Sequence, residues 1–288
     1  DVPEYALTLT IPTLVAAESV FCIVPAKTKA NAVNRTIKGE VNEECPATVL
    51  RNHPNAVLYL DAAHPPHTAR GDILGLTAPL HCTGIGKALL ETYTHSVYTK
   101  MRAYAAAASE ARMDGCDMPV IITSGSGNQG IASTVPVIVY AREKQIPEET
   151  MMRALVFSSL LTVYQKEYIG KLSAFCGAIS AATAAGAAIT YMVGGDLTQI
   201  KDTIDNTLAD IPGVICDGAK ASCAAKIAMA VEAGIMGYDM MRSGRQFYGG
   251  DGIVTKGVEN TIRNVGRLAR DGMSGTDREI IRIMLGEA

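Results

Sequence analysis

The chain contains no tryptophan and only four phenylalanines and eleven tyrosines in 288 residues. That scarcity of rings disfavours an aromatic-rich β-sandwich. An apolar share of 48%, carried by Ala, Val, Ile, Leu and Met, favours closely packed helices instead. Basic residues are not in excess, with 26 Lys and Arg against 29 Asp and Glu and a net charge of −3. A duplex nucleic-acid binder needs a basic face, and a polybasic membrane patch is equally missing. Histidine is absent beyond His95, and no CxxC pair occurs. A zinc site is therefore disfavoured, and a Ser-His-Asp triad in the long C-terminal part is excluded.

Long apolar runs are also scarce. The uncharged stretch 174–195 approaches the roughly 20 residues of a bilayer crossing. It consists mainly of Ala, Gly, Ser and Thr, which supply little transfer energy and suit close contacts, so it reads as a buried helix. The opening DVPEYALTLT carries acids where a signal peptide has a basic stretch, so no targeting segment is read and a cytoplasmic location is expected. Asp1 stands where an initiator Met would, which gives the expectation of an incomplete chain.

Seven cysteines are present, an odd number spread through a large chain, which points to a reducing compartment rather than a disulfide scaffold. The run DAAHPPHTARGD at 61–72 reads as a junction. Before it, VFCIV at Val20–Val24 and AVLYL at Ala56–Leu60 read as strands, and 27–39 as a helix ending on Gly39. That is one β-α-β unit, too short to cover both faces of a parallel sheet. After the junction the signals are helical over 86–111, 148–168, 219–241 and 258–285, the last with two glycine-containing breaks. The expected fold is mainly α, a helical domain preceded by a short α/β segment.

Two constellations could carry chemistry. The run TSGSGNQG at 123–130 has three glycines that let successive backbone N–H groups turn toward one point. With the hydroxyls of Ser124 and Ser126 and the amide of Asn128 it would form a nest for a carboxylate or phosphate. It matches neither the P-loop nor the dinucleotide fingerprint, and it reads equally well as a solvated Gly/Ser turn. The second constellation is Cys176 in KLSAFCGA with Cys216 and Cys223 in ICDGAKASC. Seven helical residues advance about 10.5 Å, so Cys216 and Cys223 share a cluster only if the helix breaks between them. Gly218 supplies the break, which places Cys216 in a turn and Cys223 on the following helix. The competing reading is three small buried hydrophobes, the commoner fate of free Cys.

Residues 1–62, with VPEYALTLTIPTL, VFCIVPAKTKANAV and CPATVLRNHPNAVLYLD, resemble the C-terminal end of glucosamine-6-phosphate deaminases. That resemblance makes Lys29 the match to a sugar-phosphate-binding lysine. Without the family's upstream catalytic Asp, Glu and His it implies no deaminase activity. Residues 76–288 resemble the L-cysteine desulfidase family and the related α chain of iron–sulfur L-serine dehydratases, through ARMDGCDMPVIITSGSGNQG, YIGKLSAFCGA, ICDGAKASC and NTIRNVGRLARDGM in that order. The resemblance implies a [4Fe–4S] cluster on Cys176, Cys216 and Cys223 and no pyridoxal phosphate. It also implies an amino-acid carboxylate held at Ser124, Ser126, Gly127 and Asn128. The implied reaction is α,β-elimination on L-cysteine, or on L-serine, to give pyruvate. Lys171 and Lys220 lie near the ligands in sequence and are weak candidates for the base. Each family is represented without its N-terminal part, so a joined chain of doubtful activity, 1–62 and 76–288 about a junction at 63–75, is the expectation. A non-catalytic, anion-binding helical domain is the alternative outside enzymology. The expected partner is a small amino-acid substrate, with no nucleic acid and no membrane. Assembly as a homo-oligomer is left open.

Overall fold

A computed structural model describes residues 20–24, 30–42, 45–52, 56–60, 84–116, 120–170 and 173–287. It divides into two compact units, Asp1–Pro65 and Pro66–Ala288. Lys29 and Lys171 lie outside the described residues.

In the first unit, β1 (Val20–Val24) pairs in parallel with β2 (Ala56–Leu60), Val20 opposite Ala56 and Val24 opposite Leu60. Parallel neighbours need a crossover connection, and here it contains α1 (Ala30–Lys38) and a 3₁₀ turn at Pro46–Asn52. The buried Thr48 holds that turn, donating to the Cys45 carbonyl at 2.7 Å and accepting from the Asn42 N–H at 3.3 Å.

The second unit is entirely helical among its described elements. In chain order these are α2 (Ile85–Thr92), α3 (Val97–Met113), α4 (Gly127–Glu143), α5 (Glu148–Ile169), α6 (Ala178–Met192), α7 (Leu197–Asp210), α8 (Cys223–Arg242), α9 (Val258–Arg267) and α10 (Ser274–Leu285). Residues 86–111, read from sequence as one helix, are two. Ser96 adopts an extended N-cap conformation and its Oγ accepts from the Thr99 N–H at 3.1 Å, so a new helix starts where composition alone saw a continuous Ala-rich run. Glu110 folds α2 back against α3, accepting from the Ile85 and Gly86 N–H groups at 2.8 and 3.3 Å.

Helix α6 is the axis of this unit. Every residue from Ala178 to Thr190 is buried, and α4, α5, α7 and α8 surround it. Only small side chains permit so many neighbours. A Cβ at Gly186 would lie 2.6 Å from the Gly234 carbonyl oxygen, and one at Gly234 would lie 2.6 Å from that of Ala182. The backbones of α6 and α8 therefore touch where they cross. The hydroxyls buried along α6 stay satisfied, Thr183 donating to the Ile179 carbonyl at 2.8 Å and Thr190 to that of Gly186 at 3.2 Å. Among the described residues no helix is long and apolar enough to cross a membrane.

Candidate active site

The N-termini of α4, α6 and α8 gather at one end of the bundle, each preceded by one of the motifs singled out in the sequence. Before α4, residues 123–126 form a tight turn in which Thr123 and Ser126 exchange both backbone hydrogen bonds at 3.2 Å. Ser124 and Gly125 take positive φ angles of 51° and 91°. At Gly125 glycine is suited to that conformation, whereas Ser124 is a non-glycine residue held in it, a strained state that surrounding structure must enforce. Ser126 precedes the helix in extended conformation without a side-chain cap, leaving its hydroxyl uncommitted to the first turn. Free N–H groups and the helix dipole favour an anion here. Gly127 lets a cation approach, because a Cβ there would meet the Arg112 side chain, its Cδ and Cζ at 3.1 Å. Asn128 is directed elsewhere: its Oδ1 accepts from Ser109 Oγ at 3.1 Å, and its Nδ2 lies 3.8 Å from Met113 Sδ.

Cys176 and Cys216 lie on two loops sewn together by an antiparallel bridge between Phe175 and Ile215. The Cys176 N–H donates to Val214 O at 2.7 Å, and the Cys216 N–H to Ala174 O at 2.6 Å. Ser173 anchors the first loop, donating to the Ala269 carbonyl at 3.1 Å and accepting from the Phe175 N–H at 3.1 Å. The side chains of Cys176 and Cys216 face each other closely enough to hydrogen-bond. That bond, with burial, raises the Cys176 thiol far above its ordinary range. The same bond, helped by the Gly218 N–H and the Lys226 cation, lowers Cys216 to about 6. Gly218, at φ 95°, turns the chain, and Cys223 is the first residue of α8. Its Sγ lies 3.5 Å from the Lys220 N–H and 3.7 Å from the Gly218 carbonyl oxygen.

Lysines surround this group. Lys226 reaches back from α8 to the Ile215 carbonyl at 2.9 Å and to Asp217. Lys220 is exposed and pairs with Asp217 at 2.5 Å, and these two lysines hold the Asp217 carboxyl well below the usual carboxylate range. Lys166 on α5 was not singled out in the sequence. It is only 6% exposed, burial lowers its pKa, and it senses Cys176 and Cys216 while making no side-chain hydrogen bond or ion pair among the described residues. In the metal-free protein, iodoacetamide alkylation of Cys216 should rise through about pH 6, well below an ordinary thiol. A depressed folded-state pKa contributes stability above the unfolded value that is lost as pH falls through 6. Peptide mapping of the alkylated Cys216 across pH 5–9 measures the midpoint, and one near 8.5 would contradict the pairing of the two thiols.

Among the described residues, no three His, Cys, Asp or Glu side chains are already gathered to hold a single metal ion. Cys176 and Cys216 are paired, and Cys223 forms no three-membered group with them among the described residues. An all-thiol donor set is of the kind that holds an iron–sulfur cluster.

The loop and the cysteines are joined by Gln129, which the sequence reading also passed over. Its side chain, on the first turn of α4, lies against the backbone of Gly177, where a Cβ would come within 2.8 Å of its Oε1.

The chain matches a UPF0597 protein of Desulfitobacterium hafniense at 56% identity over 203 residues, 70% of this chain and 47% of that protein. It matches others from Lachnoclostridium phytofermentans at 50%, covering 70% of this chain and 48% of the relative, and from Treponema denticola at 51%, covering 66% and 44%. The chain thus spans about half the length of these curated relatives. No solved structure matches it significantly. The serine dehydratase alpha chain family matches residues 28–282, a span that takes in α1 and β2 as well as the helical unit. By the extent of that match, which includes every cysteine and glycine motif described above, the chain belongs to the serine dehydratase alpha chain family.

Proposed function

We propose that the helical unit is the substrate- and cofactor-binding body of an iron–sulfur lyase. It would perform α,β-elimination on a small L-amino acid, with L-cysteine as the preferred substrate and L-serine as the alternative. The observation that carries this reading is the contact between Gln129 and Gly177, which sets an anion-binding helix N-terminus directly beside a paired thiol site. The substrate carboxylate would lie on the N–H groups of Gly125 and Gly127 with Arg112 beside them. Cys176, Cys216 and Cys223 would hold a [4Fe–4S] cluster. When bound, that group supplies a Lewis acid toward the β-substituent.

The chain's own residues account for the other requirements. Arg112 and the turn at 123–126 fix one end of the substrate, which limits its rotation over the thiols. Lys166, enclosed and without a counter-ion among the described residues, is the group we assign to take the α proton. A buried amine is neutral more readily than a solvated one. Lys220 is exposed and bound to Asp217, which leaves it poorly placed for that role. Loss of the α proton and of the β-substituent as sulfide or water leaves an enamine. Tautomerisation and hydrolysis of the enamine give pyruvate and ammonia.

The test is anaerobic reconstitution of the full chain with iron and sulfide, followed by pyruvate assays. Pyruvate from L-cysteine exceeding that from L-serine supports the proposal. Pyruvate from L-serine alone assigns the alternative substrate. Iron-loaded protein that releases pyruvate from neither overturns the lyase reading.

A further inference from the structure

A buried amide oxygen without a partner is an expensive thing for a protein to keep. Gln129 is only 8% exposed, and its Oε1 has no hydrogen-bond partner among the described residues. Leaving such a group unsatisfied costs about 1–3 kcal/mol. Neighbouring polar residues escape that cost: Asn128 has Ser109, and Gln165 donates to the Ser180 carbonyl at 3.0 Å. The position of Gln129 is built rather than incidental. Gly177 has no Cβ, and the amide occupies the space a Cβ would need; Gly130, one residue on, packs tightly on the Ile121 carbonyl and fixes the first turn of α4. The orphan acceptor therefore sits between the anion-binding turn and the residue that follows Cys176.

The unmet need at this point is for a donor. An α-amino acid whose carboxylate lies on the turn at 123–127 carries its ammonium one bond from the carbon bearing that carboxylate, within the reach of a first-turn side chain. We propose that Gln129 is the ammonium-recognition residue of the site, its Oε1 accepting an N–H of the bound amino acid. This inference rests on the amino-acid reading above and adds what selects an amino acid over other carboxylates. A carboxylate with only hydrogen at the α carbon offers no donor there and leaves the Gln129 oxygen unsatisfied.

The experiment is titration calorimetry on the metal-free chain with L-serine and with 3-hydroxypropionate, which is L-serine without its amino group. Thermal melts of each variant accompany it. The wild-type chain should bind L-serine roughly tenfold or more tighter than 3-hydroxypropionate, the scale of one hydrogen bond to a charged group. Gln129→Met fills the same space without a polar atom. It should melt no lower than the wild type and bind the two ligands equally. Gln129→Glu keeps an acceptor and should retain the preference for L-serine, which separates recognition from packing. If the wild type discriminates and Gln129→Met discriminates just as strongly, the inference falls while the amino-acid reading stands. If the wild type binds neither ligand, both fall together.

Discussion

Cys216→Ala should strip the anaerobically reconstituted protein of its iron, from about four atoms per chain to background, and abolish its broad visible absorbance. Lyase turnover should fall by roughly 10³-fold, the scale of several kcal/mol of lost charge stabilisation at the leaving group. The size of the effect follows from the pairing. Cys216 is the thiol of the pair lowered to about 6, and its loop is bridged to the one carrying Cys176, so the substitution removes the readily ionised sulfur and leaves the buried one whose pKa is raised. Cys116→Ala is the control: Cys116 is exposed beyond the end of α3, and its loss should leave both iron and absorbance unchanged. Iron content and an anaerobic spectrum on the two variants are the measurement. Equal iron in the wild type and Cys216→Ala would remove this cysteine from the ligand set.

The second large effect lies in the core. Gly186→Leu would drive a side chain into the Gly234 carbonyl, a backbone group that cannot step aside without parting α6 from α8. Overpacking of that kind costs about 3 kcal/mol. For a unit of this size the melting temperature should drop by roughly 6–12 °C. Gly275 is also helical, but nothing approaches the position of its Cβ, so Gly275→Ala should raise stability by about 0.5–1 kcal/mol through helix propensity alone. Thermal unfolding by circular dichroism measures both changes. A Gly186→Leu protein that melts with the wild type would mean the two helices do not cross where the structure places them.

Much of this architecture could be read before any coordinates. VFCIV and AVLYL are the paired strands, Gly218 breaks the chain between Cys216 and Cys223, and the uncharged stretch around Ala178–Met192 is the buried axis. Local chemistry decided those cases. The division at Tyr93–Ser96 was hidden because one serine cap outweighs a continuous Ala-rich pattern, and capping is a geometric fact that composition does not carry. Lys166 and Gln129 were hidden for another reason. Both are polar residues on helices, and only the packing of α6 against α4 and α5 encloses them. Residue type alone reads such a lysine as solvated. The NTIRNVGRLARDGM motif, which carried part of the family resemblance, packs as scaffolding: Gly266 lets α9 press on Tyr168, Asn264 donates to the Ile253 carbonyl at 3.0 Å, and the Ala269 carbonyl tethers Ser173.

The bridge between Phe175 and Ile215 also bears on how substitutions at the thiols read out. Backbone hydrogen bonds hold the loops of Cys176 and Cys216 to one another, so a side-chain change at either sulfur leaves the loops joined. A loss seen in such a variant therefore reports the chemistry of the sulfur and not the collapse of its loop.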